Sequence, residues 1–277
     1  MTNDLAGKKV ALLGAGKMGS ILLQALLEKG LLSRKSTRAT VAHEERAKAL
    51  AAKLKVKVGT NNAEAVKGAD IIVIAVKPQV VEDVLREISG YVTPQQVIVS
   101  VAASVTTAAI EKDLPVNVPV IRAMPNTPCL IRQGMTALAA GRHATADDVL
   151  LAREIFSSMG RIVVVGEEHM DAITGLSASG PAYVYMIIES LAEAGVKMGL
   201  PRDLSTELSA QTLLGASAMV LHTGEHPAKL KDIVTTPAGC TIDGLLELEE
   251  GGLRVTLIKA VVRAGERARQ LVESQNT

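Results

Sequence analysis

Short runs rich in Val and Ile alternate with longer segments rich in Ala, Leu, Lys and Glu over residues 8–166. This alternation is typical of a parallel sheet whose faces are covered by helices. Strands are predicted at Val10–Leu13 and at residues 39–42, 71–75, 97–101, 118–122, 135–140 and 162–165. Helices are predicted between them, at residues 17–29, 44–53, 80–88, 106–112 and 146–159.

The pattern changes after Gly166, where the β-branched runs stop and helical segments separated by Gly or Pro follow. Helices are predicted at residues 182–197, 202–222 and 253–273, and a further helix opens at Pro227. The sequence therefore predicts an α/β protein with two domains. A Rossmann-type dinucleotide-binding domain covers residues 1–166, and an all-helical domain covers residues 167–277.

The length of 277 residues agrees with two domains, because the commonest single domain has roughly 100–150 residues. With one Phe, three Tyr and no Trp, the cores must be built from Ala, Val, Leu and Ile. The most apolar helical stretch is interrupted by Glu189 and Glu193, so it falls short of the ~20 apolar residues of a membrane span. No signal peptide pattern is present, and we expect a cytoplasmic protein without a membrane contact.

Charge and candidate ligands narrow the function classes further. Lys plus Arg number 30 against 29 for Asp plus Glu, without a basic cluster among aromatics, which argues against a nucleic-acid partner. Cys129 and Cys240 are expected to be free thiols of a reduced compartment. His222 and His226 have the spacing of two helical metal ligands, but Gly224 interrupts the helix between them, so no metal site is predicted.

A glycine-rich turn follows the first predicted strand. Its sequence Gly14-Ala15-Gly16-Lys17-Met18-Gly19 matches G-x-G-x-x-G and opens a predicted helix. In this context the turn and the first amides of the helix receive the pyrophosphate of a dinucleotide. The alternative is a turn whose glycines only let the strand and the helix pack closely.

Further cofactor contacts are expected at later strand ends, because ligands of such sheets bind outside the carboxyl ends of the strands. His43-Glu44-Glu45-Arg46 follows the second strand. An acidic residue there would favour the free ribose of NADH and Arg46 the 2′-phosphate of NADPH, so NADPH is favoured and NADH is the alternative. The third and fourth strands are followed by Ala75-Val76-Lys77-Pro78 and Val101-Ala102-Ala103.

A threonine-rich segment, residues 232–244, leads into another helix with three Thr, two Gly and one Pro. A helix N-terminus presents unpaired N–H groups and a positive dipole end to a docking carboxylate. Asp232 and Asp243, which flank the segment, are not redox groups. The segment therefore predicts an anion-binding substrate site, and the redox chemistry must come from the cofactor.

Taken together, these motifs resemble the pyrroline-5-carboxylate reductases, the enzymes of the last step of proline biosynthesis. The resemblance extends over essentially the whole chain. Besides the glycine-rich turn and residues 75–78, it rests on R-A-M-P-N-T-P at residues 122–128, T-G-L-S-A-S-G-P-A-Y at 174–183 and G-V-K-M-G-L-P at 195–201.

The resemblance implies NAD(P)H-dependent reduction of 1-pyrroline-5-carboxylate to L-proline by hydride transfer to the cyclic imine. It also implies that the helical domain intertwines with that of a second copy into a homodimer, and that dimers commonly assemble into decamers. The cofactor would contact residues 14–19, 75–78 and 101–103 and Asn62. Thr241 would be the catalytic residue that supports the ring nitrogen, and the substrate would contact Thr235, Thr236, Gly239, Cys240, Thr241 and Ser179.

Elementary chemistry agrees with that assignment. Amides at the start of the helix can hold the substrate carboxylate without a buried Arg or Lys. A cyclic imine is basic enough to arrive protonated near neutral pH, so that a strong general acid is not required. Orientation and the exclusion of water would then provide most of the rate.

The chain departs from the family's common pattern at two positions of the threonine-rich segment. Residues 236–239 read Thr-Pro-Ala-Gly where relatives usually read Ser-Pro-Gly-Gly, and Ile233 stands where Asn or Gln is more common. Ala238 restricts the backbone if a positive φ is required there. Ile233 removes a polar contact to the substrate.

Two other functions fit parts of the sequence. A β-hydroxyacid dehydrogenase or an imine reductase shares the N-terminal domain, but the former is expected to carry a catalytic lysine on a long interdomain helix. No lysine lies between Gly166 and Lys197. A nucleotide-sensing module without activity would leave the threonine-rich segment without a purpose. Oligomer size, feedback inhibition by proline and the subunit that supplies each contact stay open.

Overall fold

The computed structural model describes Leu5, residues 7–115 and residues 117–273. Its first part contains an eight-stranded sheet in the order β3-β2-β1-β4-β5-β6-β7-β8. The strands are β1 Val10–Leu13, β2 Thr37–Thr40, β3 Lys57–Gly59, β4 Ile71–Ile74, β5 Val97–Ser100, β6 Val120–Pro125, β7 Gly134–Ala140 and β8 Gly160–Val164. Helices on both faces complete the predicted Rossmann-type domain, and the predicted fold class is confirmed.

The helices that cover this sheet are α1 Lys17–Glu28, α2 Glu44–Leu54, α3 Asn62–Val66, α4 Val81–Ile88, α5 Thr107–Lys112 and α6 Ala146–Ser157. The remaining helices are α7 Met170–Ile173, α8 Gly180–Lys197, α9 Arg202–Thr223, α10 Pro227–Val234, α11 Cys240–Glu250 and α12 Leu253–Glu273. A π-helical turn, Thr174–Ala178, lies between α7 and α8.

Alternating side chains of each strand divide the sheet domain into two cores, one on each face. Along β1, Leu12 packs on one face with Leu23 of α1 and Phe156 of α6. Leu13 packs on the other face with Leu85 of α4. Since strands of a central parallel sheet are buried on both faces, they read as unbroken apolar runs, which is why the sequence pattern located them.

The sheet differs from the predicted parallel one at β7, which pairs antiparallel with β6 through the register Arg122↔Ala139. The connection of residues 126–133 holds only the 3₁₀ turn Thr127–Ile131. A parallel return needs a crossover of a dozen or more residues, so this short connection imposes a reversal. β8 then pairs parallel with β7.

Two elements between β2 and β4 have no counterpart in the sequence prediction. They are β3, with the sequence Lys-Val-Gly, and α3, with the sequence Asn-Ala-Glu-Ala-Val. Both are short, and neither shows a period of apolar residues. α3 begins because Asn61 caps it, its side-chain oxygen accepting a hydrogen bond from the Glu64 amide at 2.8 Å. β2 also begins two residues earlier than predicted.

The chain forms two compact units. The first comprises the chain through Ala178 together with the chain from Arg263 onward, and the second runs from Ser179 to Val262. Residues 167–178 thus group with the sheet, although the strand pattern ends at residue 166. The domain limits 1–166 and 167–277 stay a prediction.

The second unit consists of helices joined by short turns. α8 and α9 pack closely where small residues meet: Gly195 of α8 lies against Ser205 of α9. Large apolar side chains remain exposed on it, among them Tyr185, Met186, Leu214, Leu221 and Ile258. No helix among the described residues is long and apolar enough to cross a lipid bilayer.

Candidate active site

The glycine-rich turn joins β1 to α1 at the carboxyl edge of the sheet. Its conformation is fixed by Thr40 at the end of β2, whose carbonyl oxygen accepts hydrogen bonds from the amides of Gly14 at 3.2 Å and Ala15 at 2.7 Å. The Gly14 amide also donates to the Thr40 hydroxyl oxygen at 3.2 Å. Thr40 therefore holds the turn, a role for which the sequence carried no signal.

The three glycines of the turn have different physical roles. Gly14 has φ +87°, and a Cβ there would lie 2.5 Å from a Val76 methyl carbon and 2.8 Å from the Val76 nitrogen. A Cβ on Gly19 would lie 2.5 Å from the Gly14 carbonyl oxygen. A Cβ on Gly16 would meet no atom closer than the Gly14 oxygen at 3.9 Å. Gly14 and Gly19 are thus required by packing, whereas Gly16 keeps an open face clear.

The open face at Gly16 adjoins the start of α1. Among the described residues, the amides of Lys17 and Met18 have no acceptor, and α1 directs its positive dipole end toward this point. Free amides beside a face without a Cβ fit the pyrophosphate of a dinucleotide. The predicted residues 14–19 therefore fit the group that the motif implies.

Asn62 is joined to this turn by a chain of hydrogen bonds. The Thr40 hydroxyl donates to Asn62 Oδ1 at 2.6 Å, and Asn62 Nδ2 donates to Glu87 Oε2 at 2.7 Å. The Asn62 amide donates to the other oxygen of the same carboxylate at 2.8 Å. Glu87 lies in the helix predicted at residues 80–88, but its contact with Asn62 could not be foreseen because the partners are 25 residues apart.

Residues 75–78 and 101–103 extend β4 and β5, the next two strands of the sheet on one side of β1. The Ala75 amide donates to the Leu13 carbonyl at 2.8 Å, and the Val101 amide donates to the Ile74 carbonyl at 2.9 Å. Both segments therefore lie at the same edge as the glycine-rich turn. Lys77 is exposed there and precedes a 3₁₀ turn that begins at Pro78, while Ala102 is buried and Ala103 is exposed.

The charged residues after β2 separate in space. Arg46 Nη2 donates to the Ala15 carbonyl oxygen at 3.3 Å, which places its guanidinium beside the glycine-rich turn. Glu44 instead accepts a hydrogen bond from the Thr60 hydroxyl at 2.8 Å. The Arg46 guanidinium therefore adjoins the glycine-rich turn, whereas the Glu44 carboxylate is engaged by Thr60.

In the helical unit, the threonine-rich segment connects α10 to α11. Gly239 is the N-cap of α11, and its amide donates to the Thr236 carbonyl at 3.0 Å. The Thr235 hydroxyl donates to the Lys231 carbonyl at 2.9 Å. Within the described chain, the amides of Cys240 and Thr241 have no acceptor. The segment thus presents two free amides at the positive end of an 11-residue helix.

Ala238 and Ile233, the two residues that depart from the family pattern, differ in what the structure shows of them: a backbone conformation for the first and an exposed side chain for the second. Ala238 has φ +58°, so the conformation that favours glycine is present and an alanine adopts it. Ile233 is 70% exposed at the end of α10.

Cys240, beside the free amides, is exposed, whereas Cys129 is buried and burial raises the pKa of its thiol. Both cysteines are free.

The two serines of the motif at residues 174–183, Ser177 and Ser179, belong to different units. Ser177 belongs to the π-helical turn, where Asn126 Nδ2 donates to its carbonyl oxygen at 3.2 Å. Ser179 is the N-cap of α8.

His222 lies within α9, whereas His226 caps α10, accepting the Ala228 amide at Nδ1. In the described part of the chain, no group of three His, Cys, Asp or Glu side chains is arranged to hold a metal ion.

Comparison with known proteins extends across both units. Residues 167–271 match the family described as pyrroline-5-carboxylate reductase dimerisation, and residues 9–104 match the family described as NADP oxidoreductase, coenzyme F420-dependent. A pyrroline-5-carboxylate reductase of Methanosarcina acetivorans is 42% identical over 267 residues, covering 96% of this chain and 99% of that protein. The human pyrroline-5-carboxylate reductase 2 is also 42% identical, covering 95% of this chain and 83% of its own.

Solved structures give the same result. A pyrroline-5-carboxylate reductase from Coxiella burnetii superposes with a TM-score of 0.88 at 33% identity, over 95% of this chain and 98% of that one. The Plasmodium falciparum pyrroline carboxylate reductase, solved with NADP bound, superposes with a TM-score of 0.87 at 31% identity, over 96% and 98%. The chain therefore belongs to the pyrroline-5-carboxylate reductase family, which makes it an oxidoreductase of proline biosynthesis.

Proposed function

We propose that this chain reduces 1-pyrroline-5-carboxylate to L-proline with NADPH in the cytoplasm, as a homodimer that assembles further. The observation that carries this proposal is the 42% identity over 96% of the chain, because it spans the glycine-rich turn and the threonine-rich segment alike. The two free thiols, Cys129 and Cys240, agree with a reducing compartment.

NADPH fits the residues at the carboxyl edge of the sheet. The open face at Gly16 and the free amides of Lys17 and Met18 would hold the pyrophosphate, and Arg46 would pair with the 2′-phosphate. Residues 75–78 and 101–103 and Asn62 would complete the contacts. When bound, the cofactor supplies the hydride that reduces the imine carbon.

The threonine-rich segment would hold the other reactant. The free amides of Cys240 and Thr241 bind the substrate carboxylate at the start of α11, and Gly239, Thr235 and Thr236 shape the approach. The Thr241 hydroxyl accepts the N–H of the protonated imine and orients the ring. When the imine carbon gains a hydride, the C=N π electrons become the nitrogen lone pair, and the product is the secondary amine of proline.

The proposal is tested by the oxidation of NADPH and NADH, followed by absorbance, with 1-pyrroline-5-carboxylate, hydroxy acids and other cyclic imines as substrates. We expect turnover of 1-pyrroline-5-carboxylate, with kcat/KM higher for NADPH than for NADH. Arg46→Ala should reduce that preference by about tenfold, because one charge-assisted phosphate contact contributes roughly 1.5–3 kcal/mol. Lys48→Ala, a neighbouring exposed cation of α2, is the matched control.

Two outcomes would contradict this assignment. If neither cofactor supports turnover of 1-pyrroline-5-carboxylate, the proposed reaction is wrong. An unchanged NADPH preference in Arg46→Ala would leave the reaction intact and remove Arg46 from the cofactor site.

The homodimer is supported by the exposed apolar side chains of the helical unit, such as Met186, Leu214 and Ile258. Large exposed apolar surfaces are typical of protein interfaces. Light scattering is expected to give a mass at an even multiple of 29.0 kDa, either a dimer or a larger assembly such as a decamer. An active protein with the mass of one chain would contradict this expectation.

A further inference from the structure

A charged side chain lies buried inside the sheet domain, apart from the groups assigned above. Arg122, on the central strand β6, is 2% exposed. Its neighbours across the strands are small, Ser100 on β5 and Ala139 on β7, which leaves room for the long side chain. Arg122 Nη1 donates to Glu167 Oε1 at 3.1 Å. Nε and Nη2 of Arg122 have no partner among the described residues.

Glu167 connects three segments of the chain through its carboxylate. Besides Arg122, it accepts the Thr107 amide at 2.8 Å on one oxygen and the Thr107 hydroxyl at 2.6 Å on the other. Thr107 is the first residue of α5, and Glu167 begins the 3₁₀ turn Glu167–His169 that follows β8. A single carboxylate thus fixes the start of α5 to the middle of the sheet.

The loop that precedes Thr107 contains a residue under backbone strain. Residues 101–106 connect β5 to α5 and include Ser104, which has φ +60° and is only 5% exposed. A residue with a Cβ is strained in this conformation, so the surrounding structure must hold it. The first residues of this loop, Val101-Ala102-Ala103, are those proposed to contact the cofactor.

We infer that Glu167 is a positioning residue for the cofactor: it holds residues 101–106 in their strained, cofactor-facing conformation by anchoring Thr107. Arg122 keeps the carboxylate in place and requires it, because a buried guanidinium without a counter-ion is strongly destabilising. This inference rests on the proposed cofactor role of residues 101–103. Glu167 touches neither reactant and acts through the loop.

If the inference holds, substitutions at the Arg122–Glu167 pair change the affinity for NADPH and the melting temperature independently. Glu167→Gln leaves the buried charge of Arg122 without a counter-ion, so both the melting temperature and the affinity for NADPH are expected to fall, the affinity by about tenfold. In Arg122→Met/Glu167→Met the charge is gone together with its partner, and replacing a buried ion pair by apolar residues is often neutral. We expect this double variant to regain most of its melting temperature while its Kd for NADPH stays about tenfold raised.

The measurements are thermal unfolding and a fluorescence titration with NADPH. Thr107→Val, which removes only the hydroxyl bond to Glu167, is a mild third variant with an expected loss of affinity of about threefold. Phe156→Leu, in the core on α6, is the control for stability loss alone and should keep the wild-type Kd. If the wild type binds no NADPH, the proposed function is wrong. If it does bind and affinity returns with stability in the double variant, or Thr107→Val binds like the wild type, the inference is wrong.

Discussion

Replacing Thr241 by alanine is expected to lower kcat by about 10²- to 10⁴-fold, the range that one proton-handling group contributes. The substitution removes the hydroxyl that would orient the imine nitrogen. It leaves the backbone amides of residues 240 and 241 and the dipole of α11 in place, so carboxylate binding should persist. KM for 1-pyrroline-5-carboxylate should therefore change much less than kcat.

Thr241→Ser is the matched control, because serine keeps the hydroxyl and loses one methyl group. We expect its kcat to stay within about tenfold of the wild type. Steady-state kinetics at saturating NADPH, together with a check of the NADPH Kd, measure both variants. Wild-type turnover in Thr241→Ala would remove the hydroxyl from the mechanism. A complete loss of activity in a folded variant that binds NADPH would mean that Thr241 does more than orient the substrate.

Gly16→Ala is expected to weaken NADPH binding by roughly 100-fold, or about 2.7 kcal/mol, without lowering the melting temperature. Its φ of −73° suits alanine, and the new methyl would meet no protein atom closer than 3.9 Å. The methyl would instead occupy the open face proposed for the pyrophosphate. The Kd from a fluorescence titration and the melting temperature test both parts of this expectation.

Gly14→Ala in the same turn provides the contrast. At φ +87° and with the Val76 backbone in its way, the new methyl should destabilise the protein by about 2–4 kcal/mol through strain and overpacking. The melting temperature should therefore fall in Gly14→Ala and stay constant in Gly16→Ala. If Gly16→Ala binds NADPH like the wild type, the pyrophosphate does not lie on this face.

The sequence predicted most of the sheet domain because its central strands are buried on both faces and its helices are long enough to show a period. β1, α1 and the glycine-rich turn between them were located to within a residue. β3 and α3 were missed because they have three and five residues, too few for any period to appear. The reversal of β7 was not predicted, because the predicted strands left the twelve residues 123–134 between them, and only the observed strands shorten the connection to residues 126–133.

Only part of the candidate site could be predicted from the sequence. The G-x-G-x-x-G spacing identified the turn, because a local motif carries its own geometry. The partners that hold it did not follow from any motif: Thr40 acts on Gly14 from 26 residues away, and Glu87 reaches Asn62 from 25 residues away. Such contacts depend on which strand ends meet, and only the folded chain determines that.

The direction of β7 also determines where the chain leaves the sheet. β8 runs parallel to β7 and therefore opposite to β6. Its last residue, Val164, pairs with Leu138 of β7, which in turn pairs with Ala123 of β6. Ala123 is one residue from Arg122, which pairs with the final residue of β5. Only Val165 and Gly166 are then needed to bring Glu167 to the start of α5. The antiparallel direction of β7 and β8 relative to β6 thus sets the point at which the chain leaves the sheet. The buried ion pair of Arg122 and Glu167 depends on that position.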